Sequence, residues 1–422
     1  MKYPLWVWSY AWSLQLIQTM EMNMISALIP SMMADLGITI TAMGAILGAR
    51  VIMQLPAAWL AGYLGDKWGR IRWLRCATLI FIAATLLVPM SWDFWSFVVF
   101  ILFANFAFRV RGGLMMILVA EHAPAEHRGW LVGITNSFAI GATLGPLVAS
   151  WSVSSELGWR FPFFLLIIPA TINLIQSFFV RESERFLELQ KTRQAMKRGK
   201  LVAEANLKYA VNLEEDKRST LRQLFGKDIR KTVILYAIYQ SCSMIFWSNG
   251  SSYWTTFFPA EKGVTYVESL TIFGLLWAMA EPGFLTGSFL SQVTGRNQMM
   301  RIGYTLGTVG SFIMVQFAYG YTQVLLTSAI MMFGAGLVYG SNPAYSTEIF
   351  PTRIRTMIGP WNSTVSSIMQ LITLPLMPIC ANIFGWSTTY QLFVTTAAFI
   401  CVVVLFHLPK PNPKAELEEV AK

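Results

Sequence analysis

Charge is what this chain has least of. Asp, Glu, Lys and Arg make up 13% of its 422 residues, against 55% hydrophobic. That balance excludes a large soluble domain. Acidic residues are the scarcer sign, 22 beside 32 basic ones. Cys76, Cys242, Cys380 and Cys401 have neither paired nor metal-ligand spacing, so no disulfide framework and no zinc site is expected. His122, His127 and His407 are scattered, and no Ser/His/Asp grouping stands out. There is no G-x-x-x-x-G-K-[ST] to cradle a nucleotide phosphate. Enzymatic chemistry, a bound cofactor and ATP-driven work are therefore not expected. A cleavable signal peptide is not expected either, because the apolar segment from Leu5 runs too long and lacks a cleavage-like end.

Long apolar runs are abundant. They recur at about 20 residues, the length that crosses a hydrocarbon core of roughly 30 Å. Twelve helices are expected, at 5–33, 42–64, 73–90, 95–119, 130–150, 161–180, 232–257, 269–290, 301–319, 323–343, 357–381 and 388–408. The expected class is an all-α membrane protein, with the lipid bilayer as its surroundings.

The few cations are unevenly placed. With both termini inside, 27 of the 32 Lys and Arg fall in cytoplasmic segments, and only Arg160 and Lys262 in outer loops. Such asymmetry orients membrane helices. It accounts for the net charge of +10 without a nucleic-acid partner. Residues 181–231 form a charged cytoplasmic connector, poor in aromatics and too small to bury its own core.

Two patterns repeat. Glu121-x-x-Pro124-x-x-x-Arg128 returns as Glu348-x-x-Pro351-x-x-x-Arg355, and Gly62-Tyr63-Leu64-Gly65-Asp66-Lys67-Trp68-Gly69-Arg70 returns, worn, as Gly287 to Arg296. The two offsets, 227 and 225 residues, are nearly equal, which points to duplicated six-helix bundles. The expected organisation is a bundle over 1–180, the connector 181–231, a second bundle over 232–408 and a cytoplasmic tail 409–422. The loop after the second helix closely resembles G-x-L-x-D-R-x-G-R of the major facilitator superfamily. Glu182-Ser183-Glu184-Arg185-Phe186-Leu187 resembles the E-S-P-R-W-L that follows the sixth helix in its sugar porters and organic-ion transporters. The resemblance implies secondary transport by alternating access, in a monomer, with a substrate site between the halves near the midplane. It also implies that Asp66, Arg70, Glu121, Arg128, Glu182, Arg185, Arg296, Glu348 and Arg355 form a cytoplasmic gate.

Five ionisable residues fall inside expected helices: Glu21, Arg50, Arg109, Arg111 and Glu281. Each costs about 2.5–3.5 kcal/mol at a helix centre on insertion scales, so each is expected to face a watery cavity or a partner. Glu21 stands nine residues before Pro30, where aromatic-acid:proton symporters carry the second Asp of D-G-x-D. The resemblance implies a proton carrier there; a fixed ion pair with an arginine is the other reading. Glu281 precedes Pro282, and is either a second protonatable group or a neutral donor to a freed carbonyl. Arg109 and Arg111 lie about 200° apart on one helix. Arg109 shares a face with Asn105 and Gly112 and is the expected anion ligand. Arg111 is read as a ligand or a partner of a Glu, and Arg50 as a second ligand or the partner of Glu21.

The second half supplies softer candidates for orienting an organic substrate: Tyr236, Gln240, Asn249, Asn342 and Tyr345, with Tyr239, Trp277, Tyr339, Asn362 and Gln370. For any one of these, helix packing is the simpler explanation. Three cations against two acids favour co-transport of protons with a small organic anion. The alternative is an antiporter of drugs or organic cations, which the aromatic content of 14% and the small-residue stripe Gly133, Ser137, Gly141, Gly145 and Pro146 also suit.

Overall fold

The computed structural model describes residues 2–122, 139–182, 187, 226, 229–350 and 352–411. Its helices run α1 (Lys2–Ala27), α2 (Ile29–Leu36), α3 (Ile40–Trp68), α4 (Arg70–Leu87), α5 (Phe94–His122), α6 (Ala139–Ser154) and α7 (Phe161–Ser177). They continue as α8 (Arg230–Met244), α9 (Trp254–Glu261), α10 (Tyr266–Thr294), α11 (Arg296–Gln316), α12 (Tyr321–Glu348), α13 (Thr352–Phe384), α14 (Trp386–Tyr390) and α15 (Thr396–His407). Among the described residues, six helical stretches are long and apolar enough to cross a membrane.

Three of the expected helices are interrupted. The first divides at Leu28 (φ −87°, ψ 2°) into α1 and α2. Pro30 has no N–H to give to the carbonyl of Ser26, four residues back, and the hydroxyl of Thr255 donates to that carbonyl instead, at 3.3 Å. The seventh divides into α8, a π-helical turn at Ile245–Asn249 and α9. The twelfth has a π turn at Gln391–Thr395 between α14 and α15. A 3.6-residue apolar pattern does not mark a π turn, which adds a residue to the ring without changing composition.

The chain forms two compact units. The first comprises Met1–Glu21, Met53–Gly141 and Arg160–Arg218. Val7, Tyr10, Ala11 and Leu14 of α1 bury against Leu74 and Ala77 of α4 and Val110, Leu114 and Leu118 of α5. Gly141 permits a very close approach, since a Cβ there would lie 2.2 Å from the carbonyl oxygen of Leu16.

The second unit comprises Met22–Ile52, Ala142–Trp159 and Ser219–Lys422. Its centre is the packing of α10 and α11 on α12. Gly283 and Gly287 of α10 face Gly336 and Gly340 of α12, and a Cβ at any of the four would lie 2.2–2.3 Å from a carbonyl of the other helix. These small-xxx-small pairs replace side-chain interdigitation with backbone contact, the favoured solution where lipid gives helices no hydrophobic reason to associate. The same unit joins pieces from both ends of the sequence: Gly44 and Gly48 of α3 press on Pro378 and Pro375 of α13. Tyr266 donates to the carbonyl of Ala27 at 3.1 Å and accepts from Ser31 at 2.9 Å.

Candidate functional site: a cavity in the second unit and a buried acid in the first

Within the second unit, the π turn opens α8 onto a cavity of about 430 Å³, its mouth included. Gln240, Ser243 and Met244 of α8, Phe246 and Trp247 of the π turn, Tyr304 of α11, and Ala335, Val338, Tyr339 and Asn342 of α12 line it. Trp247 is the platform. Its ring stacks on Tyr339 at 5.3 Å and 18°, and Trp277 meets it edge-on at 5.1 Å.

Most polar atoms of this wall are already engaged. Tyr304 donates to the Ser243 hydroxyl at 2.6 Å. Tyr236 and Tyr239 both donate to Oδ1 of Asn342, at 3.1 and 3.3 Å. Gln240 is different, because its Oε1 is buried without a hydrogen-bond partner. An unpartnered buried carbonyl is costly, so a donor arriving in the cavity gains from meeting it. The wall therefore offers aromatic faces, one free acceptor and no charged group among its lining residues.

Of the second-half candidates, Gln240, Tyr339 and Asn342 lie on the wall, and Tyr236 stands behind Asn342. Asn249 and Tyr345 do not line it. Asn249 is fully buried, its Oδ1 facing the Thr373 hydroxyl at 3.5 Å. Tyr345 accepts from Asn297 and donates to the carbonyl of Pro409 at 2.8 Å. Arg50 and Glu281 belong to the same unit and are half-buried. Trp247, Ser243 and Tyr304 escaped sequence reasoning. Only the local π geometry and α11 packing bring them to one wall.

In the first unit, Glu21 of α1 is the one buried acid among the described residues, 2% exposed. Thr85 of α4 donates to its Oε1 at 3.0 Å. Arg111 of α5 is wholly buried, its guanidinium 3.9 Å above the ring of Phe81. It lies within electrostatic reach of Glu21, and none of its three side-chain nitrogens has a hydrogen-bond partner. Arg109, on the opposite face of α5, is half-buried. Of the two arginines it is Arg111, read from the sequence as a ligand or the partner of a Glu, whose face α5 turns towards Phe81 and the acid. Thr85 and Phe81 carried no sequence signal, being ordinary residues of an apolar helix.

Four of the residues read as a cytoplasmic gate make contacts among the described residues. The Glu182 carboxylate accepts the backbone N–H groups of Arg70 and Ile71 at 2.9 and 3.0 Å, a charge-assisted cap on the N-terminus of α4. Arg296 pairs with Glu348. Arg128 and Arg185 lie outside the described residues, as do the side chains of Asp66, Glu121 and Arg355.

Comparison with known proteins places this geometry. The family model described as Major Facilitator Superfamily matches residues 11–369 and 282–421. A cis,cis-muconate transport protein of Acinetobacter baylyi is 27% identical over 305 residues, covering 71% of this chain and 68% of that protein. An arabinose–proton symporter of Bacillus subtilis is 22% identical, covering 90% and 86%. Among solved structures, a D-xylose–proton symporter superposes with a TM-score of 0.77 at 18% identity, covering 98% of this chain and all of that one.

Proposed function

The chain belongs to the Major Facilitator Superfamily, and on that premise we propose that it is a proton-coupled symporter of small carboxylates with a flat, oxygen-poor body. Membership makes it a multi-pass membrane transporter of the twelve-helix architecture and not an enzyme. In our reading the two six-helix repeats span 1–180 and 232–408, with both termini cytoplasmic, an orientation that the Lys and Arg distribution supports.

The observation that carries the proposal is the buried pair of opposite charges in the first unit, Glu21 with Thr85, and Arg111 with three unbonded nitrogens. A buried carboxyl exchanges protons only if its charged form is supported, and Arg111 supplies that support. Protonating Glu21 leaves the guanidinium without its counter-charge, so a carboxylate is favoured when the proton is aboard. That is symport of an anion with a proton. Arg109 and Arg50 remain the candidate direct ligands of the carboxylate, and Glu281 a second protonation site.

The cavity of the second unit supports the rest. Trp247 and Tyr339, stacked on each other, give the cavity an aromatic lining, and most of the wall's hydroxyl and amide groups bond one another. A polyhydroxyl substrate has few partners there, whereas a planar unsaturated body stacks and gives one hydrogen bond to Gln240. The muconate transporter among the relatives agrees with this reading.

Proteoliposomes carrying an outside-acid pH gradient test it. Labelled benzoate and cis,cis-muconate are expected to accumulate, with collapse by a protonophore and no accumulation in Glu21→Gln, while counterflow persists in that variant. Arabinose is expected to stay out. Absence of carboxylate-dependent proton uptake would overturn the reading. The neutral aromatic wall also suits a lipophilic cation through cation–π contact, and efflux of such cations on a proton gradient would establish the antiporter instead.

A further inference from the structure

One side chain of the cavity wall takes two hydrogen bonds on a single atom. Asn342 of α12 accepts at Oδ1 from Tyr236 at 3.1 Å and from Tyr239 at 3.3 Å. Both tyrosines belong to α8 and are wholly buried, so they hold the carbonyl end of the amide towards the interior of the unit. Tyr304 lies 3.4 Å from the Tyr239 oxygen, but its shorter bond, 2.6 Å, goes to the Ser243 hydroxyl. A hydroxyl has one proton to give. With that of Tyr304 committed to Ser243, the proton of Tyr239 is left for Asn342. Turning the amide over would set its NH2 group against two hydroxyl protons, so its orientation is fixed.

The other end of the amide follows. Asn342 lines the cavity and is half-buried, and its Nδ2 gives no hydrogen bond among the described residues. With Oδ1 held at the back, Nδ2 is the atom that Asn342 presents to the cavity. We propose that Asn342 is a specificity-determining residue, a donor kept in one orientation by Tyr236 and Tyr239 as positioning residues. It selects flat carboxylates that bring a second, acceptor oxygen to the end entering this cavity. The inference deepens the carboxylate reading and rests on it. A donor of fixed orientation discriminates by what it would leave unpaired. An apolar end strips water from Nδ2 and returns nothing, whereas a carbonyl oxygen replaces the lost bond. Gln240, whose Oε1 is the unpartnered atom, calls for a donor instead.

The test is calorimetric titration of the purified full-length protein with 4-acetylbenzoate and 4-isopropenylbenzoate. The two share charge and shape and differ in one carbonyl oxygen replaced by a methylene. Wild type is expected to bind the acetyl compound about three- to ten-fold more tightly, the range of one neutral hydrogen bond. In Asn342→Leu that preference is expected to vanish. Tyr236→Phe/Tyr239→Phe keeps Asn342 but releases its carbonyl, and the preference is expected to fall there too, while each single variant keeps most of it. The preference is a ratio within one preparation, so a loss of folded protein cancels and a merely structural role does not move it. Equal affinity for the two compounds in wild type would overturn the inference alone. So would an undiminished preference in Asn342→Leu or, should that variant not fold, in the double tyrosine variant. Binding of neither compound would overturn it together with the carboxylate reading.

Discussion

The hydroxyl of Thr85 donates to the carboxylate of Glu21 at 3.0 Å. This ties the one buried acid among the described residues to the neighbouring helix α4. With the carboxyl ionised this is a hydrogen bond to a charged group in a buried setting, and such bonds contribute about 1.5–3 kcal/mol. Thr85→Val keeps the shape and removes the donor. Uptake at neutral pH is expected to fall roughly ten-fold or more, at the low end of that range, with a lowered melting temperature. Thr85→Ser is expected to restore much of both. Equal uptake by Thr85→Val and wild type would remove Glu21 from the mechanism.

Gly44 and Gly48 let α3 press against prolines of α13: a Cβ at Gly44 would lie 2.7 Å from Cγ of Pro378, and one at Gly48 2.8 Å from Cγ of Pro375. The proline rings are stiff, so the neighbour gives little. Overpacking here costs about 1–3 kcal/mol in the arrangement that brings the helices together, and nothing once they part. Gly44→Trp is therefore expected to hold these ends apart, abolishing uptake while substrate still binds from that side. Calorimetric titration of the purified variant alongside uptake checks both halves of the statement.

Tyr266 bridges the break in the first span, donating to Ala27 and accepting from Ser31. Tyr266→Phe is expected to destabilise the protein by about 1 kcal/mol and to expose the α1–α2 junction. A cysteine introduced at Ser31 should then label faster with a membrane-impermeant maleimide. No change in labelling rate would mean that the hydroxyl is incidental to the closure.

Glu261, at the end of α9, accepts the backbone N–H groups of Trp386 and Ser387 at the start of α14. Its burial raises the carboxyl pKa. The hydrogen bonds from Ser387 and Trp386, with Lys262 nearby, outweigh that and hold it below its ordinary value. A depressed folded-state pKa stabilises the fold above the unfolded pKa, and that contribution is lost as pH falls through the folded one. Glu261→Gln is thus expected to lower the melting temperature most near neutrality, with the gap from wild type closing below about pH 4.3, the ordinary Glu value. A gap independent of pH would assign the loss to packing alone.

The span pattern and the repeated motifs were legible in the sequence because hydrocarbon thickness and residue identity act position by position, with no need to know what packs where. Glu21 was legible for the same reason: an acid in an apolar run is conspicuous whatever surrounds it. Which arginine stands beside it was not. Arg109 and Arg111 carry the same charge two positions apart, and only the seating of α5 on Phe81 and α1 buries Arg111. The cavity wall was out of reach too. Trp247 and Tyr304 share a wall through a π turn and a helix crossing, both products of three-dimensional packing. Composition and spacing determined that this chain crosses a membrane and carries buried charge there. Tertiary packing decided which side chains share a wall, because contact between distant helices depends on crossing angle and register, which no local pattern encodes.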